Sequence, residues 1–393
     1  MTALPLNRRQ LLGALGASGL LLAWHGLGLA ASDSPRRLMV VLLRGGMDGL
    51  AAVPAYAEPG FAALRGALDT GAPGGEQTSL KLDGSFGLHP ALRHCAAAYQ
   101  AGELAVVHAV APPYHGRSHF EAQDCLENGS DRPHASQDGW LNRSLSALPG
   151  SEGLAIASAL PLMLRGPAPA ETWSPSPLPE ASGDLAQRVS RLYERDARLG
   201  PAFRRAADSQ GLAMGRSEGR PRNRLPESIR QAASLMRGRD GLRLVMVEDG
   251  GWDTHARQGG AQGALAGKLG KLDEALATAK TALGPLWPQT VIVVATEFGR
   301  TVRVNGSGGT DHGTGGVMLL SGGAVRGGKV HADWPGLGPS ALLDGRDLRP
   351  TTDSRAVFKG LLLAHLGLAE SVLAERVFPN SRDIRPLEGL VHS

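Results

Sequence analysis

Four short apolar runs along the chain each end in a polar loop that contains glycine. The clearest is residues 37–43, RLMVVLL, which is followed by RGGMDG. Three further runs share this form: 104–108, 242–247 and 290–295. Continuous apolar runs of this length are typical of strands buried on both faces of a parallel sheet. Helical patterns accompany them: 91–100, 118–127, 265–283 and a closing helix at 355–368. The alternation predicts an α/β fold, with a doubly wound, mostly parallel central sheet flanked by helices.

The middle of the chain departs from this alternation. Residues 149–226 are rich in Pro, Gly, Ser and Arg and include an amphipathic helix candidate at about 184–199. Such composition favours an inserted cap or lid rather than sheet core. We therefore expect one α/β domain over residues 36–390, with an insertion at about 149–226.

The N-terminal residues have the pattern of an export signal. Arg8 and Arg9 precede an apolar, glycine-containing stretch from Leu11 to about Ala31, which ends in small residues. This pattern predicts a cleavable twin-arginine signal over residues 1–31, and hence a periplasmic or secreted protein without a stable membrane span after cleavage. The alternative is an N-terminal anchor, because about 20 apolar residues can span a bilayer.

Charge and cysteine content narrow the classes of partner. The net charge of +4 includes the two signal arginines, and acidic and basic residues are interspersed along the rest of the chain. This distribution argues against nucleic acid as a partner. Cys95 and Cys125 could form one disulfide after export, or could remain as two buried thiols.

Polar residues collect where the predicted strands end. Because ligands of open α/β sheets bind outside the carboxyl ends of the strands, these residues are the candidates for function. In chain order they are Asp48; His115, Arg117, Ser118, His119, Glu121 and Asp124; Glu248, Asp249, Asp253 and His255; Glu297 and Arg300; Asp311 and His312. Carboxylate and imidazole ligands in several converging loops predict a metal site.

Each piece of this pattern also has a purely structural interpretation. These alternatives are a turn or N-cap role for Asp48, a helix N-cap for Asp253, a mutual ion pair of Glu297 with Arg300, a helix face for His115 and His119, and a solvated surface position for Arg117. The structural interpretations must all hold independently, whereas the metal site needs a single pocket. The conjunction therefore favours the site.

Several runs of residues resemble one exported bacterial family. The runs LRGGMDGL, RSHFEAQD, GGWDTH, TEFGRT and DHGTGGV are similar to the family known as domain of unknown function 1501, across nearly the whole mature chain. That family is in turn similar to the alkaline phosphatase and sulfatase superfamily, whose members hold one or two divalent metals above a parallel sheet. The resemblance implies an alkaline phosphatase-like fold, while a shared fold does not deliver a shared reaction.

The superfamily pattern can be transferred to this chain position by position. Asp48 resembles the metal-binding Asp after the first strand, and Ser118 resembles the nucleophile that begins a helix. Asp253 and His255 resemble the Asp/His metal pair, with D-x-H in place of the wider D-x-x-x-H spacing. His312 resembles the last ligand histidine, and Glu297 stands where TEFG replaces T-x-D-H-G. Phe298 occupies a position where a ligand histidine is expected, which argues against a complete two-metal site.

The resemblance and the residues together predict a function. The predicted catalytic residues are Ser118, Arg117 and His119, and the predicted metal ligands are Asp48, Asp253, His255, Glu297 and His312. One divalent ion, zinc, is expected, with a weaker second ion between Asp48 and Glu297. The chain is then an exported metal-dependent hydrolase of small-molecule or glycan phosphate or sulfate esters, in which Ser118 attacks and Arg117, Arg44 or Arg300 clamps the anion. The alternative is a non-catalytic binding or assembly protein that keeps the fold and part of the metal site.

Overall fold

The computed structural model describes residues 36–174, 183–193, 196, 199–201, 203–204, 206 and 225–392. Its strands are β1 (Arg37–Leu43), β2 (Leu80–Lys81), β3 (Gly87–Leu88), β4 (Leu104–Ala111), β5 (Glu152–Ile156), β6 (Ala170–Trp173), β7 (Leu242–Asp249), β8 (Thr290–Thr296), β9 (Gly316–Ser321), β10 (Lys329–His331) and β11 (Thr352–Asp353). Its α-helices are α1 (Gly49–Ala52), α2 (Phe61–Arg65), α3 (Arg93–Gln100), α4 (His119–Asn128), α5 (Trp140–Ser146), α6 (Gly183–Tyr193), α7 (Leu225–Gly238), α8 (Ala264–Leu283), α9 (Ser354–Ala364) and α10 (Glu370–Val372). Shorter 3-10 turns at Gly66–Leu68, Leu162–Leu164 and Gly284–Gln289, and a π turn at Leu373–Val377, complete the elements.

A nine-stranded sheet forms the centre of the fold. Eight of its strands follow the order β10-β4-β9-β8-β1-β7-β5-β6. The ninth, β11, pairs with the last two residues of β4, past the residues that pair with β10. The pairs of β1 with β7 and with β8 are parallel, whereas β9 runs antiparallel to both of its neighbours. β2 and β3 form a separate two-stranded ladder. The sheet is therefore mostly parallel, and the carboxyl ends of β1, β7 and β8 lie side by side at one edge.

Side chains of the central strands belong to two hydrophobic cores, one on each face of the sheet. In β1, Met39, Val41 and Leu43 belong to one core, while Leu38 and the alternate residues belong to the other. Leucines and alanines of α7 and α8 cover the first face, and residues of α5 and α9 cover the second. This alternation explains why β1 is apolar at every position from Leu38 to Leu43, since neither face is open to solvent.

The sequence pattern predicted most of this core correctly. All four apolar runs are sheet strands, and the helical patterns correspond to α3, α4, α8 and α9. The α/β class with a mostly parallel, helix-flanked sheet is therefore confirmed. Cys95 and Cys125 are both buried free thiols. None of the helices in the described residues is both long and apolar enough to cross a membrane.

The structure differs from the expected insertion at 149–226. β5 and β6 lie inside this stretch, yet they extend the sheet by pairing in parallel with β7 and with each other. The expectation of a cap rather than sheet is thus wrong for residues 152–173. Gly153 and Ala155 make β5 less hydrophobic than the central strands, so its sequence does not stand out as a strand. The amphipathic helix is present as α6, over Gly183–Tyr193. Residues 175–182 and 207–224 lie outside the described residues, as do the predicted signal and its two arginines.

Candidate metal centre

The candidate site lies where loops leave the carboxyl ends of the parallel strands. Asp253 follows β7, Glu297 follows β8 directly, and His312 precedes β9. His119 is the first residue of α4. The order of the strands brings these separate segments together, because β7, β1 and β8 are adjacent in the sheet.

Three imidazole rings surround the carboxylate of Asp253. Oδ2 of Asp253 is 3.3 Å from Nε2 of His119, and Oδ1 is 2.9 Å from Nε2 of His255 and 3.4 Å from Nε2 of His312. His119, Asp253 and His312 can each present one ligand atom within 4.8 Å of the others. His255 is adjacent to them, since its Nε2 is 3.0 Å from Nε2 of His312.

The other ring nitrogen of each histidine, Nδ1, lies within hydrogen-bond distance of an oxygen atom. Nδ1 of His119 lies 2.8 Å from a carboxylate oxygen of Glu297, and Nδ1 of His312 lies 3.0 Å from the backbone carbonyl of Arg117. Nδ1 of His255 lies 3.2 Å from Asp311. These acceptors favour a proton on each Nδ1, which leaves the three Nε2 lone pairs directed at the shared space. Metal-binding histidines have this arrangement, in which an outer oxygen fixes the tautomer and the ring orientation.

The arrangement fits a divalent cation. Nε2 of His119 is buried and makes no well-aligned hydrogen bond among the described residues, and its polar neighbour is Oδ2 of Asp253 at 3.3 Å. The facing Nε2 atoms of His255 and His312 would present two lone pairs to each other if both were unprotonated, which is unfavourable without a positive charge nearby. Imidazole with carboxylate is a ligand set that zinc accepts. The residues therefore fit a bound divalent ion.

Charges around the cluster keep its carboxylates ionised. Burial raises the pKa of Asp253, but Arg300, through its charge and hydrogen bond, together with His255 and His119 outweighs burial, so this pKa lies below its ordinary value. Arg300 is buried, and its Nη2 donates to Oδ1 of Asp253 at 2.5 Å. The hydrogen bond to Glu297 raises the pKa of His119, whereas burial lowers the pKa of His312. Arg300 therefore pairs with Asp253, and the alternative pairing with Glu297 does not occur.

Glu297 contacts the cluster through the outer ring nitrogen of His119, rather than as a ligand. Its side chain is fully buried, and Oε1 accepts hydrogen bonds from Gly45 N, His119 Nδ1 and Gln123 Nε2. Gly45 can approach because it has no side chain and a φ of +122°; a Cβ there would lie 2.6 Å from the backbone nitrogen of Asp253. The prediction that Glu297 binds metal directly is corrected, since the side chains that converge are those of His119, Asp253 and His312, and Glu297 contacts the outer nitrogen of His119 instead.

Asp48 also differs from the predicted ligand role. Its side chain is 1% exposed, and Oδ2 accepts from Arg65 at 2.5 Å and from Gln258 at 2.7 Å. Oδ1 accepts from the backbone of Ala51, so Asp48 is the N-cap of α1. These contacts correspond to the structural alternative. The expected second ion between Asp48 and Glu297 is likewise corrected, because donors of the protein occupy both carboxylates.

The side chain of Arg117 forms ion pairs with two carboxylates and is therefore not available to bind an anion. Its guanidinium pairs with Asp344 at 2.7 Å and with Asp347 at 2.8 Å, and its backbone has a φ of 60°. This left-handed conformation brings its carbonyl to Nδ1 of His312. Arg117 thus orients a histidine through its backbone, and the predicted anion clamp by its side chain is corrected.

Ser118 occupies the N-cap position of α4, directly before His119. Its hydroxyl makes no capping hydrogen bond to the helix, and the residue is partly exposed. The first turn of α4 therefore leaves the hydroxyl available for another role. Phe298 packs against the rings of His119 and His312, with ring centres 4.8 and 5.0 Å apart.

Sequence reasoning missed two residues that stabilise the centre. Gln123 links Arg44 to Glu297, and its position four residues after His119 in α4 places both on one helix face. This spacing could have identified it. Gln258 is fully buried and hydrogen-bonds Asp48, but neither residue type nor spacing distinguishes it from an ordinary loop glutamine.

Solved structures similar to this chain share only low sequence identity with it. The C-terminal periplasmic domain of EcEptC from Escherichia coli, in complex with Zn, is 11% identical with a TM-score of 0.36, and 74% of each chain is covered. The alkaline phosphatase from the Antarctic bacterium TAB5 is 11% identical with a TM-score of 0.33, over 72% of this chain and 91% of that chain. Phosphonate monoester hydrolase of Agrobacterium radiobacter is 15% identical with a TM-score of 0.31, over 85% and 74%.

Family membership comes from the sequence match. No curated protein has a sequence that matches this chain. Residues 36–375 match the model of the family described as "Protein of unknown function (DUF1501)", which confirms the resemblance drawn from the motifs. The match begins at the residue before β1 and reaches the π turn that follows α10, so it includes every ligand candidate. The chain belongs to the DUF1501 family.

Proposed function

We propose that this protein is an exported, metal-dependent hydrolase of phosphate or sulfate esters that binds one divalent ion, zinc, through His119, Asp253 and His312. The proposal rests mainly on the convergence of these side chains, with the buried Nε2 of His119 3.3 Å from Oδ2 of Asp253. Export through the twin-arginine pathway, inferred from Arg8 and Arg9, belongs to the same proposal.

Three protein ligands favour a reactive centre over a structural one. Structural zinc sites use four protein ligands, whereas catalytic sites keep a position for water or substrate. The side chains of Asp253 and His255 are 37% and 44% exposed, so a small-molecule or glycan ester can reach the centre. When bound, a divalent ion supplies Lewis acidity toward an ester oxygen and lowers the pKa of a nucleophilic hydroxyl.

Residues around the centre prepare the ligands for this role. Glu297 holds Nδ1 of His119 and raises the basicity of the ring, and Arg300 fixes the orientation of the Asp253 carboxylate. His255 is the most exposed imidazole of the cluster, and its Nδ1 faces Asp311. It is therefore suited to accept or donate a proton at Nε2 while an ester is cleaved.

Ser118 is the proposed nucleophile. Its hydroxyl does not cap α4, and the helix begins at the next residue, so backbone N–H groups and the positive end of the helix dipole lie beside it. An anionic ester gains hydrogen bonds and electrostatic stabilisation at such a helix N-terminus. Ser118 directly precedes the proposed ligand His119 in the sequence, which places it beside the metal centre.

A binding or assembly role is the second candidate, and one observation favours it. His255 lies close enough to Asp253 and His312 to act as a fourth ligand, and four protein ligands would close the site to substrate. The ion pairs of Arg117 with Asp344 and Asp347 also remove one anion clamp.

The substitution Ser118→Ala separates these two candidates. In a hydrolase with a serine nucleophile, it should lower kcat/KM on a panel of p-nitrophenyl phosphate and sulfate esters by at least ~10²-fold, with zinc content unchanged. Because Ser118 does not cap α4, the melting temperature should stay close to that of the exposed control variant Ser340→Ala. Unchanged turnover in Ser118→Ala would remove the serine mechanism. If the zinc-loaded wild type also hydrolysed none of these esters, the binding role would be favoured.

A further inference from the structure

A buried polar network joins the two loops that carry metal ligands. Gln258 is fully buried, and its Oε1 accepts hydrogen bonds from the hydroxyls of Thr254 at 2.8 Å and Thr310 at 2.9 Å. Thr254 lies between Asp253 and His255, and Thr310 is two residues before His312. One amide oxygen therefore connects both ligand segments.

We propose that Gln258 is a positioning residue that sets the distance between the ligand loops 253–255 and 310–312, and that Asp48 holds it in place. The proposal rests on the metal site assigned above. It gives Asp48, which has no contact with the cluster of ligands, a role in metal binding through Gln258, Thr254 and Thr310.

Asp48 determines which way the amide of Gln258 points. A carboxylate can only accept hydrogen bonds, so the Nε2 group of Gln258 must face Oδ2 of Asp48, at 2.7 Å. Oε1 is then left to accept from both threonine hydroxyls. Arg65 pairs with the same oxygen of Asp48, and its other terminal nitrogen donates to the carbonyls of Thr301 and Val302. The direction of every bond in the chain from Arg65 to the threonines is thereby defined.

The backbones of the two loops meet at the same place. Thr310 N donates to the carbonyl of Thr254 at 3.2 Å, and Gln258 N donates to the carbonyl of Gly308 at 2.9 Å. A Cβ at Gly309 would lie 2.4 Å from the Thr254 oxygen, so glycine is needed for this approach. Removing one member of this buried network leaves its other members without partners. Loosening it should let the ligand loops separate.

Thr→Val substitutions test the positioning role with little change of shape. Thr254→Val and Thr310→Val each remove one hydroxyl bond to Gln258, and Gln258→Met removes all three side-chain bonds. Thr290→Val is the control, because Thr290 is as buried as Thr310 and its hydroxyl donates to the carbonyl of Leu286. If Gln258→Met does not fold, the two threonine variants still carry the test.

The first readout is the zinc dissociation constant, measured by competition with a chromophoric chelator below the melting temperature of each variant. Loss of outer partners of metal ligands costs about 10–100-fold in affinity. We expect a loss of about 10-fold for Thr254→Val and for Thr310→Val, and no loss for Thr290→Val. In the double variant the losses should be non-additive, because both hydroxyls act through one oxygen. Equal affinity in wild type and all threonine variants would overturn the positioning role while leaving the metal site intact.

The second readout uses metal-free protein. Hydrogen exchange of the Thr310 amide, which donates to Thr254, should be faster in Gln258→Met and in the threonine variants than in Thr290→Val. If the wild type failed to bind zinc, both the metal site and its positioning residue would be rejected. If zinc bound but exchange and affinity were unaffected, only the role of Gln258 would be rejected.

Discussion

The substitution Glu297→Gln tests how much the buried carboxylate behind His119 contributes to metal binding. Glu297 is completely buried and lies 2.8 Å from Nδ1 of His119. Burial raises the pKa of Glu297, but hydrogen bonds from His119, Gln123 and backbone N–H groups together outweigh burial, so its pKa lies below the ordinary value and the group is ionised at neutral pH. Replacement by Gln keeps the shape and one oxygen acceptor, removes the negative charge, and puts an amide NH2 group in place of the other oxygen, which accepts from the Thr296 hydroxyl.

The expected loss follows from the role of such partners. Removing an outer carboxylate from a metal-binding histidine lowers metal affinity by about 10–100-fold, which is about 1.4–2.8 kcal/mol. Zinc affinity of Glu297→Gln, from chelator competition at pH 7.5 (about one unit above the ordinary His pKa), should fall within this range. Asp273→Asn is the control, since Asp273 is a buried carboxylate that accepts from the backbone of His94 and Cys95, in contacts unrelated to the metal centre. An equal affinity for both variants would refute the assignment of Glu297 as the support of His119.

Three further predictions concern stability and export. Burial lowers the pKa of His108 to about 4, below its ordinary value of 6.5, so its contribution to stability is complete above pH 6.5 and is lost as the pH falls toward 4. This loss is on the order of 3 kcal/mol, and urea unfolding should show a shallower pH dependence in His108→Gln; an identical slope would contradict it. Phe358→Ala should lower the free energy of unfolding by about 3–5 kcal/mol, because the ring is buried and stacks on Trp140 at 4.5 Å; a loss under about 1 kcal/mol would be inconsistent with that packing. Replacing Arg8 and Arg9 by Lys should leave the protein in the cytoplasm, and undiminished export in cell fractionation would disprove the twin-arginine signal.

The sequence was most informative where a local pattern determines the structure. β1, β4, β7 and β8 were predictable because both of their faces are buried, which makes most of each strand apolar. β5 and β6 were not, because they are short and lie in a stretch rich in Pro and Gly, where composition indicated an insertion. Their place in the sheet depends on pairing with β7, which residue composition does not reveal.

The site was predictable only in its residue types. His119, Asp253 and His312 were candidates because they lie in polar loops next to the ends of strands, although His119 was predicted as a catalytic residue and not as a ligand. The roles of Asp48 and Glu297 depend on partners elsewhere in the chain that the local sequence does not reveal. Asp48 pairs with Arg65 and Gln258, so it cannot serve as an open ligand.

Zinc content of the mature protein directly tests whether His119, Asp253 and His312 bind a metal ion. Protein purified without chelator should contain about one zinc ion per chain by elemental mass spectrometry, and His312→Ala should lose most of it. His134→Ala serves as the control, since the His134 side chain is 77% exposed and lies 3.5 Å from Asp124, outside the cluster. We expect full zinc occupancy in wild type and His134→Ala, and a large loss in His312→Ala. Equal zinc content in all three proteins, or none in the wild type, would contradict the metal centre.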